Sequence, residues 1–135
     1  MTAIVSLTDK ICEDEVIALY RANGWSSAEK PKLLLAALMN SHSLVTARID
    51  NRLVGIGNAI SDGHLVVYFP HMLVHPNVHR QGVGRQMMTL LLEKYADFHQ
   101  LMLTADGDAI SFYQSLGFSR AGKTASMWIY SGKEH

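Results

Sequence analysis

The chain has little of the residue types that mark several specialised protein classes. Its 135 residues contain one cysteine, Cys12, so no internal disulfide can form, and we expect a reducing compartment. Lys plus Arg and Asp plus Glu number 12 each, so no global electrostatic field favours nucleic acid or an anionic membrane surface. No apolar run is long enough to span a bilayer as a helix, and no signal-peptide pattern is present. We therefore expect one cytoplasmic domain over residues 1–135, with no nucleic-acid or membrane partner.

The chain changes its hydrophobic period along its length, and this change predicts the order of its elements. Apolar residues recur at helical spacing in the N-terminal third, run together as in strands in the middle, and return to helical spacing after Gly84. The predicted elements are a strand at 3–5, helices from Ser6 or Thr8 to Gly24 and from 27 to 41, strands at 44–49, 53–60 and 65–74, a helix from 84, a strand at 101–104, a helix at 108–116, and a closing hairpin from 118 that includes 127–130. The order β-α-α-β-β-β-α-β-α-β-β predicts a single α+β domain around a mixed sheet.

Two places in this pattern lead to structural expectations of their own. In the first helix, the spacing places a set of side chains on one inward face: Cys12, Val16, Leu19 and Tyr20. Pro70 interrupts the long strand at 65–74, and because proline has no N–H it removes a ladder hydrogen bond. We expect a bulge or splayed edge there, which gives an extended ligand a place to insert.

The junction between that strand and the next helix has the features of an anion site. The chain passes Pro76, tightens into Gly82-Val83-Gly84 and enters a strongly periodic helix. The first turn of a helix has free backbone N–H groups and the positive end of the helix dipole, and both favour a bound phosphate or pyrophosphate. The structural alternative is that these glycines only end a loop tightly.

Two better-known phosphate motifs fit the sequence less well. Residues 117–124 have the glycine, lysine and threonine spacing of a P-loop, but a helix is expected before them and strand-like residues after them. A P-loop has the reverse context, with a strand before the first glycine and a helix after the threonine. The pair Gly82 and Gly84 begins a dinucleotide fingerprint, but Met87 stands where the third glycine belongs.

Two segments of the chain resemble the signature segments of the GCN5-related N-acetyltransferase (GNAT) family. The first runs from Val74-His75-Pro76 through His79-Arg80-Gln81-Gly82-Val83-Gly84-Arg85, and the second spans 106–118. The order of elements is also similar, so the resemblance covers nearly the whole chain. One departure is His79, which stands where the family has Arg or Gln. The resemblance implies an N-acetyltransferase that moves an acetyl group from acetyl coenzyme A to a primary amine by direct transfer in a ternary complex.

The same resemblance implies a cofactor site that joins a strand, a loop and the last helix. Main-chain groups of Met72, Leu73 and Val74 are expected to bind the pantetheine arm as an added strand would. The loop amides are expected to bind the pyrophosphate, with charge added by Arg80 and Arg85. The expected cofactor-binding residues are Met72, Leu73, Val74, His79, Arg80, Gln81, Gly82, Val83, Gly84, Arg85, Asp106 and Phe112.

Acetyl transfer needs a base for the amine, a donor for the oxyanion and an acid for the departing thiolate. By the resemblance, Tyr113 stands at the position of the acid tyrosine; packing on the apolar face of its helix is the alternative. By the resemblance, many relatives place an acidic residue near the position of His71. We expect His71 to be the base, because histidine titrates near neutral pH, with a packed or surface histidine as the alternative. No histidine pair has the spacing of a zinc site, so no metal is expected.

The N-terminal arm is expected to supply substrate specificity. Tyr20, Trp25 and Tyr68 are expected to frame an apolar amine pocket, and the alternative is that Tyr20 and Trp25 brace the core. The segments around Tyr20 and Trp25 resemble those of small bacterial and plastid-type members that acetylate aromatic or aliphatic amines. We expect a small-molecule amine, and a monomer or homodimer. The rival hypothesis is a non-catalytic module that binds or senses acyl coenzyme A.

Overall fold

The computed structural model describes residues 2–133 as a mixed sheet with helices packed on it. The strands are β1 (Ile4–Ser6), β2 (Ser43–Ile49), β3 (Arg52–Ser61), β4 (Val66–Tyr68), β5 (Met72–Val74) and β6 (Gln100–Met102). The helices are α1 (Glu13–Ala22), α2 (Pro31–Met39), α3 (Val83–Lys94) and α4 (Ala109–Ser115), with short 3₁₀ turns at Ser26–Glu29 and Pro76–Val78. The α+β class and the order of elements up to α4 therefore agree with the sequence pattern.

The sheet has the strand order β1-β2-β3-β4-β6, and β5 pairs with β3 beside β4. Every pairing is antiparallel except that of β4 with β6. Leu53 and Val54 are neighbours on β3 but belong to different apolar clusters, as side chains that alternate across a sheet do. The cluster that contains Leu53 includes residues of α1 and α2, and the cluster that contains Val54 includes residues of α3.

The strand predicted at 65–74 is divided in two, and the break lies at Pro70 as expected. Beyond the break, β5 pairs with the middle of β3, whereas β4 pairs with its last residues, Ile60 and Ser61. The side-chain oxygen of Asn58, on β3 between the two pairings, accepts a hydrogen bond from His71 N (3.1 Å). Asn58 is buried, so this bond satisfies a polar group inside the sheet and holds the break in a defined shape.

Helix α1 begins later than the sequence indicated, and this corrects the position of Cys12. Cys12 is the residue before the first turn, it is exposed, and its backbone N donates to the Glu15 carboxylate (3.0 Å). It therefore lies outside the inward face, because a residue before the helix does not follow the helical spacing. Val16, Leu19 and Tyr20 are buried as expected.

Helix α3 packs closely against β3 because a glycine lies at the contact. A Cβ placed on Gly55 would lie 2.6 Å from the sulfur of Met87, so even alanine would require the buried Met87 side chain to move. At the end of the helix, the Tyr95 hydroxyl bonds to Ser43 Oγ (2.5 Å) and to His42 Nδ1 (2.6 Å). These contacts fix α3 across the sheet and so fix the loop that precedes it.

The expected closing hairpin is not formed, which corrects the prediction for the chain after residue 118. No residue from 118 to 133 lies in a strand or helix, so the P-loop spacing at 117–124 also lacks its helix. The four apolar residues that suggested a strand, at 127–130, are exposed. Within this run, Trp128 and Tyr130 stack on each other, so these two side chains are in contact although no strand pairing is formed.

No helix in the part of the chain from 2 to 133 is both long and apolar enough to cross a membrane.

Candidate active site

A cavity of about 980 Å³ lies where the sheet splits between β4 and β5. Its lining includes Trp25 from the N-terminal arm, Tyr68 and His71 from the two sides of the break, Tyr113 from α4, and Trp128 from the C-terminal segment. A concave, largely apolar site with a few converging polar groups is the usual form of a small-molecule site. The break predicted from Pro70 therefore opens onto this cavity.

The open edge of β5 presents backbone groups next to this cavity. In the antiparallel pair of β3 and β5, Asn58 N donates to His71 O (3.0 Å), so the backbone groups of His71 and of Leu73 face β3. Because an antiparallel ladder alternates, the N–H and C=O groups of Met72 and Val74 point to the opposite edge. Of the three residues expected to bind pantetheine through the backbone, Met72 and Val74 have this geometry. The backbone groups of Leu73 face β3, which corrects the prediction for that residue.

His71 is held in the break by two aromatic residues of the N-terminal arm. The Tyr20 hydroxyl lies 2.7 Å from Nδ1 of His71. The Trp25 ring makes edge contacts with both rings, at centroid distances of 5.8 Å to Tyr20 and 5.2 Å to His71. Burial raises the pKa of Tyr20 well above its usual value, so it remains a neutral phenol. The imidazole is thus oriented through one nitrogen by a group that does not ionise.

Tyr113 lines the cavity from α4, and its ring packs between two other rings. The centroid distances are 5.0 Å to Phe112 and 5.7 Å to Phe118, both in edge arrangements. Burial raises the pKa of Tyr113 to about 12. The side chain therefore carries its phenolic proton at neutral pH, as a proton donor to a leaving group must.

The loop before α3 has the backbone geometry of an anion site. Gly82 has φ of +81° and precedes the first helical residue, and Arg80 also has a positive φ, of 65°. Gln86 N donates to Gly82 O (3.0 Å), which is the first hydrogen bond of the helix. The amides of residues 83–85 therefore precede the helical ladder, and a Cβ at Gly82 would occupy open space that an anion can approach.

Two side chains, one in this loop and one in the first turn of α3, have contacts that the sequence did not indicate. Nε2 of His79 lies 2.8 Å from Val74 O, a carbonyl on the open edge of β5. Arg85 extends to α4, where its guanidinium donates to Ser115 Oγ (2.7 Å) and lies over the Phe112 ring. The loop is thus linked both to β5 and to α4, the two elements that flank the expected path of the pantetheine arm.

A family model for the acetyltransferase (GNAT) domain matches residues 9–127 of the chain. The chain belongs to the GNAT family of acetyltransferases. A GNAT-family acetyltransferase from Streptococcus pneumoniae has a similar structure, with a TM-score of 0.83 and 25% identity over 96% of this chain and 98% of that chain. The GNAT fold expected from the two sequence segments is therefore confirmed.

The relatives of this GNAT member include two proteins described as uncharacterised N-acetyltransferases ycf52. One from Porphyra purpurea is 30% identical over 120 residues, which are 84% of this chain and 68% of that protein. One from Gracilaria tenuistipitata var. liui is 29% identical over 103 residues, which are 70% of this chain and 55% of that protein. The chain thus spans between about half and two-thirds of the length of these relatives.

The structure of this GNAT member separates the residues predicted for the substrate pocket. Trp25 and Tyr68 line the cavity together with the predicted catalytic pair. Tyr20 does not line it, which corrects the prediction that it frames the pocket: its side chain is fully buried behind His71. Tyr20 is instead a core aromatic residue, which is the stated alternative, and its hydroxyl also contacts the His71 imidazole.

The cavity also contains residues that sequence reasoning missed. Trp128 and Tyr130 line it from the C-terminal segment, where the sequence predicted only a strand. The apolar run at 127–130 contains two aromatic residues, which was the only sign of a binding role. The alternation of side chains in a predicted strand does not indicate that these residues reach the cavity. Among the cofactor-binding predictions, Asp106 and Met72 line the cavity, and no group of three or more His, Cys, Asp or Glu within residues 2–133 is placed to hold a metal ion.

Proposed function

We propose that this GNAT member transfers the acetyl group of acetyl coenzyme A to a small-molecule primary amine, by direct transfer in a ternary complex. The observation that carries the proposal is that one cavity contains an oriented imidazole, His71, and a neutral phenol, Tyr113. They lie beside an open strand edge that leads to a loop whose amides precede the helical ladder of α3. These are the groups that amine activation, thiolate protonation and binding of a phosphorylated, extended cofactor require.

The residues present fit the coenzyme. The backbone groups of Met72 and the N–H of Val74 suit the amides of the pantetheine arm, which extends a sheet in the way an added strand does. The Val74 carbonyl is hydrogen-bonded to Nε2 of His79. The pyrophosphate fits the amides of residues 83–85 at the start of α3, where the helix dipole favours negative charge. Gly84 lies close to Val74 and Phe112, since a Cβ there would be 3.7 Å and 3.5 Å from their side chains. The bound coenzyme supplies an acetyl thioester, the electrophile of the reaction.

His71 and Tyr113 have complementary roles in the proposed reaction. A primary amine is mostly protonated at neutral pH and must lose a proton before it can attack a carbonyl carbon. His71 accepts that proton, and Tyr20 keeps the imidazole directed at the cavity through Nδ1. Tyr113 is the group that donates to the thiolate that leaves, since it lines the same cavity and its hydroxyl stays protonated at neutral pH.

Two measurements test this function together. Calorimetric titration with acetyl coenzyme A, ATP and NAD is expected to show binding of acetyl coenzyme A alone. Release of the coenzyme A thiol is then measured with a panel of small amines and with a lysine-containing peptide, and the highest kcat/KM is expected for a small amine.

The outcomes separate the rival functions. Binding of acetyl coenzyme A without thiol release for any amine contradicts the enzymatic role and supports a non-catalytic acyl coenzyme A module. ATP binding without acetyl coenzyme A binding contradicts both. A higher kcat/KM for the peptide than for every small amine contradicts the proposed substrate class alone.

A further inference from the structure

The break between β4 and β5 contains one residue more than the part of β3 that lies opposite it. Two residues of β3 separate its pairings with β4 and with β5, and they face the three residues 69–71. Such a β-bulge leaves backbone groups without a ladder partner. Phe69 N donates to β6 (3.0 Å), and Pro70 has no N–H. The N–H of His71 is therefore the group of this bulge that needs a partner from β3, and the side chain of Asn58 provides it.

Asn58 binds the main chain of His71 at two points. Its backbone N donates to His71 O (3.0 Å), and its Oδ1 accepts from His71 N (3.1 Å). Asn58 is only 4% exposed, so water does not compete for either hydrogen bond. The Tyr20 hydroxyl holds the imidazole of the same residue at Nδ1. His71 is thus fixed through its main chain by Asn58 and through its ring by Tyr20.

The orientation of the Asn58 amide is set by Ser41. The Ser41 hydroxyl donates its hydrogen to Ala37 O at the end of α2 (2.9 Å), so its oxygen accepts from Asn58 Nδ2 (2.9 Å). A reversed amide would direct its NH₂ group at the N–H of His71 and would lose both hydrogen bonds. A continuous series of hydrogen bonds therefore runs from α2 through Ser41 and Asn58 to the residue proposed as the base.

An amide at this position is not what core packing alone would require. Asn58 points to the same face of β3 as Ile56, which belongs to the apolar cluster that includes residues of α1 and α2. Burial of an amide costs free energy that its hydrogen bonds must offset, whereas leucine has the same branched shape and no such cost. What the amide adds to this face is an acceptor for the N–H of the bulge.

We propose that Asn58 is a positioning residue for acetyl transfer: it holds the main chain of His71 in the bulge, so that the imidazole meets Tyr20 at Nδ1 and presents its other nitrogen to the cavity. This rests on the proposed acetyl transfer. Asn58 is not among the residues that line the cavity, so its effect on the amine is indirect, through His71.

Three substitutions separate this role from a contribution to stability. Asn58→Leu keeps the branched shape and removes the acceptor for the N–H of His71. Asn58→Asp keeps an acceptor oxygen whether its carboxyl group is ionised or neutral. Thr46→Val is the matched control: Thr46 is fully buried in the same sheet and its hydroxyl donates to Asp9 (2.7 Å), so the variant also loses one buried hydrogen bond, but away from the cavity. Ser41→Ala is a milder variant that leaves Asn58 in place and removes the partner of its Nδ2.

The first measurement concerns the protein without substrates. Proton–nitrogen correlation spectra of the His71 imidazole are recorded at about pH 8, where a histidine with an ordinary pKa is neutral. The wild-type protein is expected to show a single tautomer with hydrogen on Nδ1, because Tyr20 accepts that hydrogen. Asn58→Leu is expected to show a mixture of the two tautomers, because the ring is no longer held against Tyr20. Asn58→Asp and Thr46→Val are expected to resemble the wild type.

The second measurement is the rate of thiol release with acetyl coenzyme A and the most active amine of the panel. Asn58→Leu is expected to lower kcat about tenfold, while the Kd for acetyl coenzyme A changes by less than about twofold. The kcat of Asn58→Asp is expected to stay within about threefold of wild type. Ser41→Ala is expected to lie between Asn58→Leu and the wild type in both measurements, and Thr46→Val to keep the wild-type kcat at temperatures where it is folded.

The outcomes distinguish this inference from the function on which it rests. A wild-type tautomer and kcat in Asn58→Leu overturn the positioning role, and in a protein that fails to fold with leucine the same result in Ser41→Ala overturns it. An equal loss of kcat in Thr46→Val, or in Asn58→Asp, also overturns it, because the acceptor for His71 is then not the cause. Absence of thiol release by the wild type with every amine overturns acetyl transfer, whereas the spectra still decide whether Asn58 orients His71.

Discussion

The Tyr20 hydroxyl lies 2.7 Å from Nδ1 of His71, and this contact joins a fully buried residue of α1 to an imidazole that lines the cavity. For His71 to accept a proton at its other nitrogen, Nδ1 must carry hydrogen, and the Tyr20 oxygen then accepts it. The imidazolium formed afterwards keeps the same hydrogen bond. Tyr20 is thus a positioning residue for the proposed base, and its effect on the amine is indirect, through His71.

Replacement of Tyr20 by phenylalanine tests this role. The ring and its contact with Trp25 are retained, so the fold is expected to persist, whereas kcat is expected to fall about tenfold. The acid limb of the pH–rate profile is expected to move to lower pH, because the imidazolium loses its hydrogen-bond acceptor. Tyr95→Phe is the control: it also removes a buried hydroxyl, bonded to Ser43 and His42, but lies away from the cavity. A normal kcat and pH profile in Tyr20→Phe would remove Tyr20 from the mechanism.

Replacement of Tyr113 by phenylalanine tests the proposed acid. The contacts with Phe112 and Phe118 are retained, so kcat is expected to fall by on the order of tenfold or more with little change in the Kd for acetyl coenzyme A. An unchanged kcat would show that Tyr113 only packs. Stopped assays of thiol release and calorimetric titration provide the two measurements.

The raised pKa of Tyr113 also predicts a change in stability at alkaline pH. In the unfolded chain the phenol ionises near pH 10, whereas in the folded protein burial raises its pKa to about 12. The stabilising effect of the buried, neutral phenol is present below pH 10 and is lost as the pH rises from 10 to 12. Tyr113→Phe is expected to make urea-unfolding stability less dependent on pH in this window. An identical pH dependence in both proteins would contradict the assignment.

The fold, and the geometry of the elements predicted to bind the cofactor, follow from local signals in the sequence. Pro70 marks the break in the sheet because a proline without an N–H cannot continue a ladder, and that break positions both the open edge of β5 and His71. Gly82 marks the loop before α3 because its positive φ favours glycine. Each of these residues meets a backbone requirement at one position, and its identity can be read directly from a single sequence.

The part of the cavity proposed to bind the acceptor depends on contacts between distant residues, and the sequence does not show them. Tyr20 and His71 are 51 positions apart, and helical spacing indicated only that Tyr20 faces inward. Trp128 and Tyr130 suggested a strand because the run is apolar and aromatic, yet the structure directs them to a cavity. Tertiary packing decides whether such a run forms a strand or lines a cavity, because its local propensity is the same in both cases.

Gly84→Ala separates cofactor binding from stability. The added Cβ would lie 3.5 Å from Phe112 and 3.7 Å from Val74, which is ordinary contact, and alanine is the better helix former. We expect an unchanged or higher melting temperature. The methyl group narrows the space between β5 and α4, so the affinity for acetyl coenzyme A is expected to fall by on the order of tenfold. Unchanged affinity would place the coenzyme elsewhere.

Gly82→Ala is the comparison for this variant. Gly82 has φ of +81°, so alanine is strained there by about 1 kcal/mol or more even though the added atom meets no neighbour. This variant is expected to lose both stability and affinity. Thermal unfolding and titration of the two variants therefore distinguish backbone strain from direct obstruction of the coenzyme.

The Arg48 side chain supports the start of α1 and makes the fold sensitive to acid. Its guanidinium donates to Asp9 (2.7 Å) and in bidentate fashion to Glu15 (2.9 Å for each bond). The hydrogen bond from Arg48 lowers the pKa of Glu15. Burial tends to raise the pKa of Asp9, but hydrogen bonds from Arg48 and Thr46 outweigh it and the pKa is lowered. The stabilising effect is therefore present above about pH 4 and is lost as the pH falls through these lowered values.

Glu15→Gln is expected to lower the free energy of unfolding at pH 7 by about 1–2 kcal/mol, a range that allows for partial solvent screening of the pair. Because the amide no longer titrates, the loss of stability between pH 5 and pH 3 is expected to be smaller in the variant than in the wild-type protein. Glu13→Gln is the matched control, since Glu13 begins the same helix turn but forms only an exposed pair with Lys32 at 4.0 Å. Urea unfolding across this pH range measures all three proteins. An acid midpoint that Glu15→Gln shares with the wild type would show that Arg48 does not couple the arm to the sheet, and the orientation of Tyr20 on α1 would then depend on core packing alone.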